Sequence, residues 1–184
     1  MLAAGASRRL PGPKQLLRYR GVTLLRHAAQ TAVAADCGPV VVVLAPDAGT
    51  LRFELVDLNV HIVENPDAAR GLSTSLRAGL EALGGGLDAA VFLACDQPEI
   101  TPDVLKQLVA AFAATRPAAV ACEYAGTVGV PALLGRSLFG ELRALDGDQG
   151  AKRILLQHLD ETVRIPFEPG ALDIDTPDDV GRLS

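Results

Sequence analysis

The sequence predicts an α/β domain in which helices cover both faces of a mostly parallel central sheet, giving three layers, and three observations carry that expectation. Apolar runs of strand length alternate with segments of helical period along the whole chain. The 184 residues are 49% hydrophobic but only 4% aromatic with no Trp, so the interior must be built from Ala, Val and Leu, as suits helices laid on a parallel sheet. No repeat, low-complexity tract or linker breaks the pattern. Residues 1–184 therefore read as a single domain, long enough to bury roughly 70% of its unfolded surface.

Taken in order, "LAAG" (2–5) is a short apolar strand ending in Gly5, and "GVTLLRHAAQTAVAAD" is a helix with Thr23 at its cap. "PVVVVLA" (39–45) and "VHIVE" (60–64) are strands. "LSTSLRAGLEAL" spaces Leu72, Leu76, Leu80 and Leu83 at helical intervals, and "GGG" at 84–86 stops that helix. A strand over 88–95, "DAAVFLAC", precedes a helix that opens with Thr101 at the cap and Pro102 at the first helical position. The strand "AAVACEY" (118–124), helices at 136–145 and 149–158, and the strand "TVRIPF" (162–167) complete the series. Such alternation requires right-handed crossovers and a parallel sheet.

The formal charge of −5 argues against a nucleic-acid partner, since such proteins carry a net basic face. Cys37, Cys95 and Cys122 are widely spaced among apolar residues and read as small buried hydrophobes in a reducing compartment. With no apolar run of spanning length and no signal-peptide pattern, no membrane contact is expected and the location is read as cytoplasmic.

In sheets of this class polar chemistry collects at the carboxyl ends of the strands. The first such end is "LAAGASRRLPGPK". Ala3, Ala4 and Gly5 are small enough for a ligand to approach their backbone, whose successive N–H groups can form an anion-binding nest. Ser7, Arg8, Arg9 and Lys14 add donors suited to phosphate, although a solvated basic turn would look the same. The spacing matches neither the P-loop nor the dinucleotide-binding fingerprint. A second end, "VFLACDQPE", puts Asp96 where the strand leaves the sheet, placed to hold Mg2+ against phosphate oxygens or simply to cap a turn. The third, "LDIDTPDDV", sets Asp173 and Asp175 two apart on one strand face, and this too reads equally as a helix cap. His27, His61 and His158 are read as structural or surface residues.

Together "LAAGASRRLPGPKQLL", "ENPDAARGLSTSLRAGL", "LACDQPEITPDVL" and "LDIDTPDDV" resemble, in order and spacing, the MobA-like nucleotidyltransferases, most closely the branch with the molybdenum cofactor cytidylyltransferases. The resemblance spans essentially the whole chain. It implies a Rossmann-like nucleotidyltransferase fold and a Mg2+-dependent enzyme that moves a nucleoside monophosphate from a triphosphate, CTP being favoured, to a molybdopterin-type acceptor. It implies that Leu2, Ala3, Ala4, Gly5 and Ser7 lie against the nucleotide, with Arg8 and Lys14 gripping the triphosphate. Arg8, Lys14 and Asp96 become the catalytic set, and Asp96 with Asp175, chosen over Asp173, the metal ligands. Gly71, Ser73 and Ser75 fit the nucleoside segment, and Lys152 or Arg153 in "DGDQGAKR" would meet the acceptor phosphate. Transient contact with a molybdoenzyme or its chaperone is also implied. Family members usually begin several residues earlier, with an apolar run completing the first strand, so either upstream residues are missing from this sequence or the strand is unusually short, and a short strand would loosen the opening loop. The alternatives are a guanylyltransferase of the same family, transfer to a sugar phosphate or another small phosphorylated acceptor, and a non-catalytic nucleotide-binding protein.

Overall fold

The computed structural model describes residues 1–7 and 9–183. Its elements in chain order are β1 (Arg18–Tyr19), β2 (Val22–Thr23), α1 (Leu24–Ala35), β3 (Val41–Leu44), α2 (Gly49–Phe53), β4 (His61–Glu64), α3 (Leu72–Ala82), β5 (Ala89–Phe92), α4 (Pro102–Thr115), β6 (Ala119–Tyr124), β7 (Thr127–Gly135), α5 (Phe139–Ala144), α6 (Ala151–Gln157), β8 (Thr162–Pro166) and α7 (Pro177–Val180). Caps fall where the residue types direct them. The Thr23 hydroxyl accepts from the Arg26 amide, and Thr101 accepts from Val104 with Pro102 following as the first residue of α4.

The opening segment is reduced to a single point of pairing. Leu2 bridges Val43 on one side and Ala94 on the other, both parallel. The Leu2 N–H donates to Leu93 O at 2.9 Å and the Ala3 N–H to Val43 O at 2.9 Å. Through this segment the β3–β4 pair joins the β5–β7–β6–β8 sheet, giving the order β4, β3, residues 1–3, β5, β7, β6, β8. Pairing is parallel except at β7, which runs antiparallel to both neighbours, so the sheet is mixed.

The alternation of helix and strand in the sequence does not announce β7. It returns from β6 through a two-residue turn in which Ala125 and Gly126 both have positive φ, 49° and 71°. That is the geometry of a tight hairpin, made by Ala-Gly instead of the usual Asn-Gly. Pro131 also falls inside the strand, where it cannot donate to a ladder. The structure accommodates it at a register shift: Ala121 pairs with Ala132 and Cys122 with Gly129, leaving Val130 and Pro131 outside the pairing.

Strand side chains alternate between the two faces. Val42, Leu44, Val120 and Cys122 pack with Leu25, Ala28 and Ala29 of α1 and Val104, Leu105 and Leu108 of α4. Ala90, Phe92, Ala119 and Ala121 pack with Leu76 and Leu80 of α3, Leu142 of α5, and Ile154 and Leu155 of α6. Small Ala side chains on the strands let the helices sit close, and this is what the low aromatic content permits. Cys95 and Cys122 are buried as expected; Cys37 is exposed after the end of α1. Among the described residues no helix is long and apolar enough to cross a membrane.

Candidate active site

The carboxyl ends of β3 and β4, together with the opening loop, face a cleft of about 760 Å3. Its walls come from Ala4 to Ser7 with Lys14, from Ala45 and Pro46 after β3, from Pro66, Ala68 and Ala69 after β4, from Gly71, Leu72 and Ser75 at the start of α3, and from Asp148 and Asp175. One segment after each neighbouring strand thus supplies a wall, as the topology of such sheets dictates.

The opening loop is shaped by a residue that the sequence reading passed over. Gln15 is 3% exposed, and its Nε2 donates to Ala3 O at 2.8 Å and Gly5 O at 2.9 Å. With the carbonyls turned toward Gln15, no acceptor among the described residues takes the Ala4, Gly5 or Ala6 N–H groups. Ser7 closes the loop: its Oγ accepts from the Lys14 N–H at 2.7 Å. Leu2 sits in the sheet beneath, and Ala3 is buried. Arg8 lies outside the described residues.

Asp96, Asp173 and Asp175 converge although they are far apart in sequence. The Ile174 N–H donates to Asp96 O at 3.0 Å and stitches the terminal segment to the end of β5. One carboxylate oxygen from each of the three lies within 4.8 Å of the others. Lys14 Nζ pairs with Asp96 Oδ2 and, at 2.7 Å, with Asp175 Oδ1. Arg9, whose side chain is 64% exposed, reaches Asp175 Oδ2 at 2.7 Å.

Three carboxylates in so small a space repel one another. Burial, reinforced by the Asp96 charge, pushes the Asp173 carboxyl up to about 7. Asp173 is an exposed residue whose carboxylate lies within 4.8 Å of those of Asp96 and Asp175. The hydrogen bond from Lys14 holds Asp175 below the usual carboxylate range. Burial works against the Lys14 charge, but Asp96 and Asp175 outweigh it and hold its pKa above the ordinary value.

The cluster fits a divalent cation. Asp96 Oδ1 is buried with no hydrogen-bond partner, a costly state for a carboxylate oxygen, and the three groups offer hard oxygen donors of the kind Mg2+ and Mn2+ prefer. Asp96 and Asp175 both stand in the cluster, and Asp173 joins them.

The nucleoside segment is divided by the helix itself. Gly71 caps α3 with φ of 120°, and a Cβ there would lie 2.2 Å from the Gly147 carbonyl carbon. Only glycine lets the loop at 146–148 close over the helix start. Ser73 is fully buried, its N–H donating to Gly147 O at 3.1 Å and its Oγ without a partner, so its hydroxyl does not face the cleft. Ser75 does line the cleft, and its Oγ accepts from Asn65 Nδ2 at 3.0 Å. Lys152 and Arg153 lie at exposed positions in the first turn of α6. From their loop it is Asp148 that lines the cleft.

A loop of small residues, Lys14 and, from the acidic cluster, Asp175 line one cleft. Residues 1–163 match the MobA-like NTP transferase domain. The chain belongs to that family. It is 30% identical over 195 residues to the nicotine blue oxidoreductase of Paenarthrobacter nicotinovorans, covering 100% of this chain and 94% of that one. It is 26% identical to the molybdenum cofactor cytidylyltransferase of Escherichia coli, covering 96% and 90%. The crystal structure of Rv0371c from Mycobacterium tuberculosis superposes with a TM-score of 0.87 at 33% identity, covering 99% of this chain and 93% of that chain. A manganese complex of Rv0371c superposes with a TM-score of 0.82 at 31% identity over 99% and 94%. The family places this chain among the nucleotidyltransferases.

Proposed function

We propose that this nucleotidyltransferase moves CMP from CTP onto the phosphate of a molybdopterin-type acceptor, releasing pyrophosphate. The observation that carries the reading is the meeting of Lys14 with Asp96, Asp173 and Asp175 beside the free amides of the opening loop. An oxygen of the acceptor phosphate attacks the α-phosphorus in line, and the bond to the β-phosphate breaks as pyrophosphate departs. A phosphate monoester is already nucleophilic near neutral pH, so positioning and charge neutralisation suffice. Lys14 and Arg8 neutralise the triphosphate, and the loop amides orient it. Asp96 and Asp175, with Asp173 beside them, would hold Mg2+, which when bound supplies further charge stabilisation at the phosphate oxygens. The manganese complex of Rv0371c supports a divalent ion in this family.

The choice of CTP has two supports. One relative is named a cytidylyltransferase. In addition, Ala4 lines the cleft where guanylyl-transferring enzymes commonly carry glycine, and its methyl narrows the approach in a way a pyrimidine tolerates better. A methyl-sized difference gives selectivity of about tenfold to two-hundredfold. The test is pyrophosphate release from CTP, GTP, ATP and UTP with molybdopterin-type acceptors and Mg2+. Preferential turnover of CTP is expected; preference for GTP would move the chain to the guanylyl branch, and turnover only with a sugar phosphate would replace the acceptor.

A further inference from the structure

We infer that Asn65 is a positioning residue that makes the Ser75 hydroxyl a hydrogen-bond donor toward the nucleobase, so that the cleft selects a base with an acceptor, such as a ring carbonyl oxygen, at that point. This rests on the nucleotidyl-transfer reading and adds to it the residue that fixes the polarity of base recognition.

Hydrogen-bond accounting carries the inference. Asn65 follows β4, is 3% exposed, and its N–H donates to Leu44 O at 2.8 Å. The Asp67 N–H donates to Asn65 Oδ1 at 3.0 Å. A backbone amide can only donate, so this contact identifies the oxygen of the Asn65 amide and leaves Nδ2 facing α3. The two Nδ2 hydrogens go to Thr74 Oγ1 at 2.8 Å and Ser75 Oγ at 3.0 Å. Thr74 directs its own hydrogen to the carbonyls of Gly71 and Asp67, at 2.8 and 3.0 Å. Ser75 receives from Asn65, and among the described residues no acceptor takes the hydrogen of its hydroxyl. That hydrogen is available to whatever fills the cleft that Ser75 lines.

The occupant at this point is the base because the cleft is polarised. Around Ser75 the walls at the ends of β3 and β4 are Ala45, Pro46, Pro66 and Ala68, uncharged and small, with Asp148 standing over the start of α3. Lys14 and Asp175 stand toward β5, on the other side of residues 1–3 in the sheet order. Phosphates belong with the charges and a flat, uncharged ring with the small residues, leaving Ser75 as the donor beside that ring.

Asn65→Asp tests this, since a carboxylate accepts and cannot donate. It would draw the Ser75 hydrogen to itself and turn lone pairs toward the ligand. Dissociation constants of CTP, UTP, GTP and ATP with Mg2+ would be measured by calorimetry for the wild type, Asn65→Asp, Ser75→Ala and the double variant. The preferred triphosphate should lose about tenfold of its advantage over the least favoured in either single variant, the worth of one hydrogen bond. In the Ser75→Ala background Asn65→Asp should change the ratio no further. A uniform weakening of all four triphosphates would mean that Asn65 only braces the loop and would overturn the inference, as would equal affinity of the wild type for all four. Ser75→Ala decides the matter even where Asn65→Asp does not fold, because unchanged ratios in it are equally fatal. Absence of binding by any triphosphate to the wild type would instead defeat the nucleotidyl-transfer reading itself.

Discussion

At the amino ends of β3 and β5 the sheet, α1 and α4 enclose a cavity of about 340 Å3 walled by Val40, Val91, Leu105 and Phe112, whereas the cleft of about 760 Å3 at the carboxyl ends is bounded by Lys14, Asp175 and the small-residue loop. The first is lined mostly by apolar side chains, with the Asp88–Arg116 ion pair among its lining residues. At the edge of the second, Asp175 joins Asp96 and Asp173 in a group of three carboxylates whose mutual repulsion and loss of water cost free energy, and Lys14 only partly relieves them. A fold that carries such a cost at one end and spends the other on packing separates function from stability along the strand direction. Substitutions at the two ends should therefore move different observables.

The largest effect in free energy belongs to the apolar end. Leu105→Ala should lower stability by about 2–5 kcal/mol, read by denaturant or thermal unfolding, while leaving the triphosphate dissociation constant unchanged. A matching loss of nucleotide affinity would erase the division between the two ends. Asp96→Asn should reverse the pattern, with turnover falling by on the order of a hundredfold or more, about 2.7 kcal/mol, in a protein that melts normally. Asp175→Asn should behave similarly and Asp173→Asn less severely. A greater loss at Asp173 would reassign the second metal ligand.

Lys14→Ala should weaken triphosphate binding about tenfold to a hundredfold, the worth of a charge-assisted hydrogen bond, and added salt should mimic it only in part because the Lys14 and Asp96 side chains are just 12% and 13% exposed. Because Lys14 holds oxygens of Asp96 and Asp175, the same substitution should tighten binding of Mn2+ alone, which calorimetry without nucleotide would read. Arg9→Ala, at an exposed pair, should do little; equal effects at Arg8, Arg9 and Lys14 would indicate a diffuse basic surface.

The smallest effect lies away from both ends. Hydrogen bonds to Glu161 and then Glu141 raise the His158 pKa. Its charged form is favoured in the folded state, so the contribution is complete below the unfolded value of about 6.5 and disappears as pH rises through the raised native value. The melting-temperature gap between the wild type and His158→Gln should thus be present near pH 6, small because the site is solvent-screened, and gone well into alkaline pH. A gap that grows with pH would contradict this.

What the sequence disclosed follows from what is local. Strands 41–44, 61–64 and 119–124, the caps at Thr23 and Thr101, and Asp96 at a strand end are readable because period and punctuation act over a few residues. The hairpin into β7 was hidden by an Ala-Gly turn and by Pro131, whose tolerance depends on a register shift visible only in three dimensions. Gln15 and Asn65 looked like ordinary polar residues; their roles come from carbonyls and hydroxyls brought close by folding. The resemblance put Asp175 before Asp173 as the second metal ligand, whereas in the structure both reach the cluster. The division of Ser73 from Ser75 had a signal, because residues two apart on a helix do not share a face.

The most direct test of a metal-dependent nucleotide site at the carboxyl end is thermal melting with CTP and Mg2+, each alone and together, in the wild type and in Asp96→Asn. With both ligands, CTP at a hundred times its dissociation constant should add about 2.7 kcal/mol to wild-type stability, a shift on the order of 5–10 °C for a chain of this size. Asp96→Asn should lose most of that shift while melting normally without ligand. No shift with any triphosphate, or an undiminished shift in Asp96→Asn, would contradict the account.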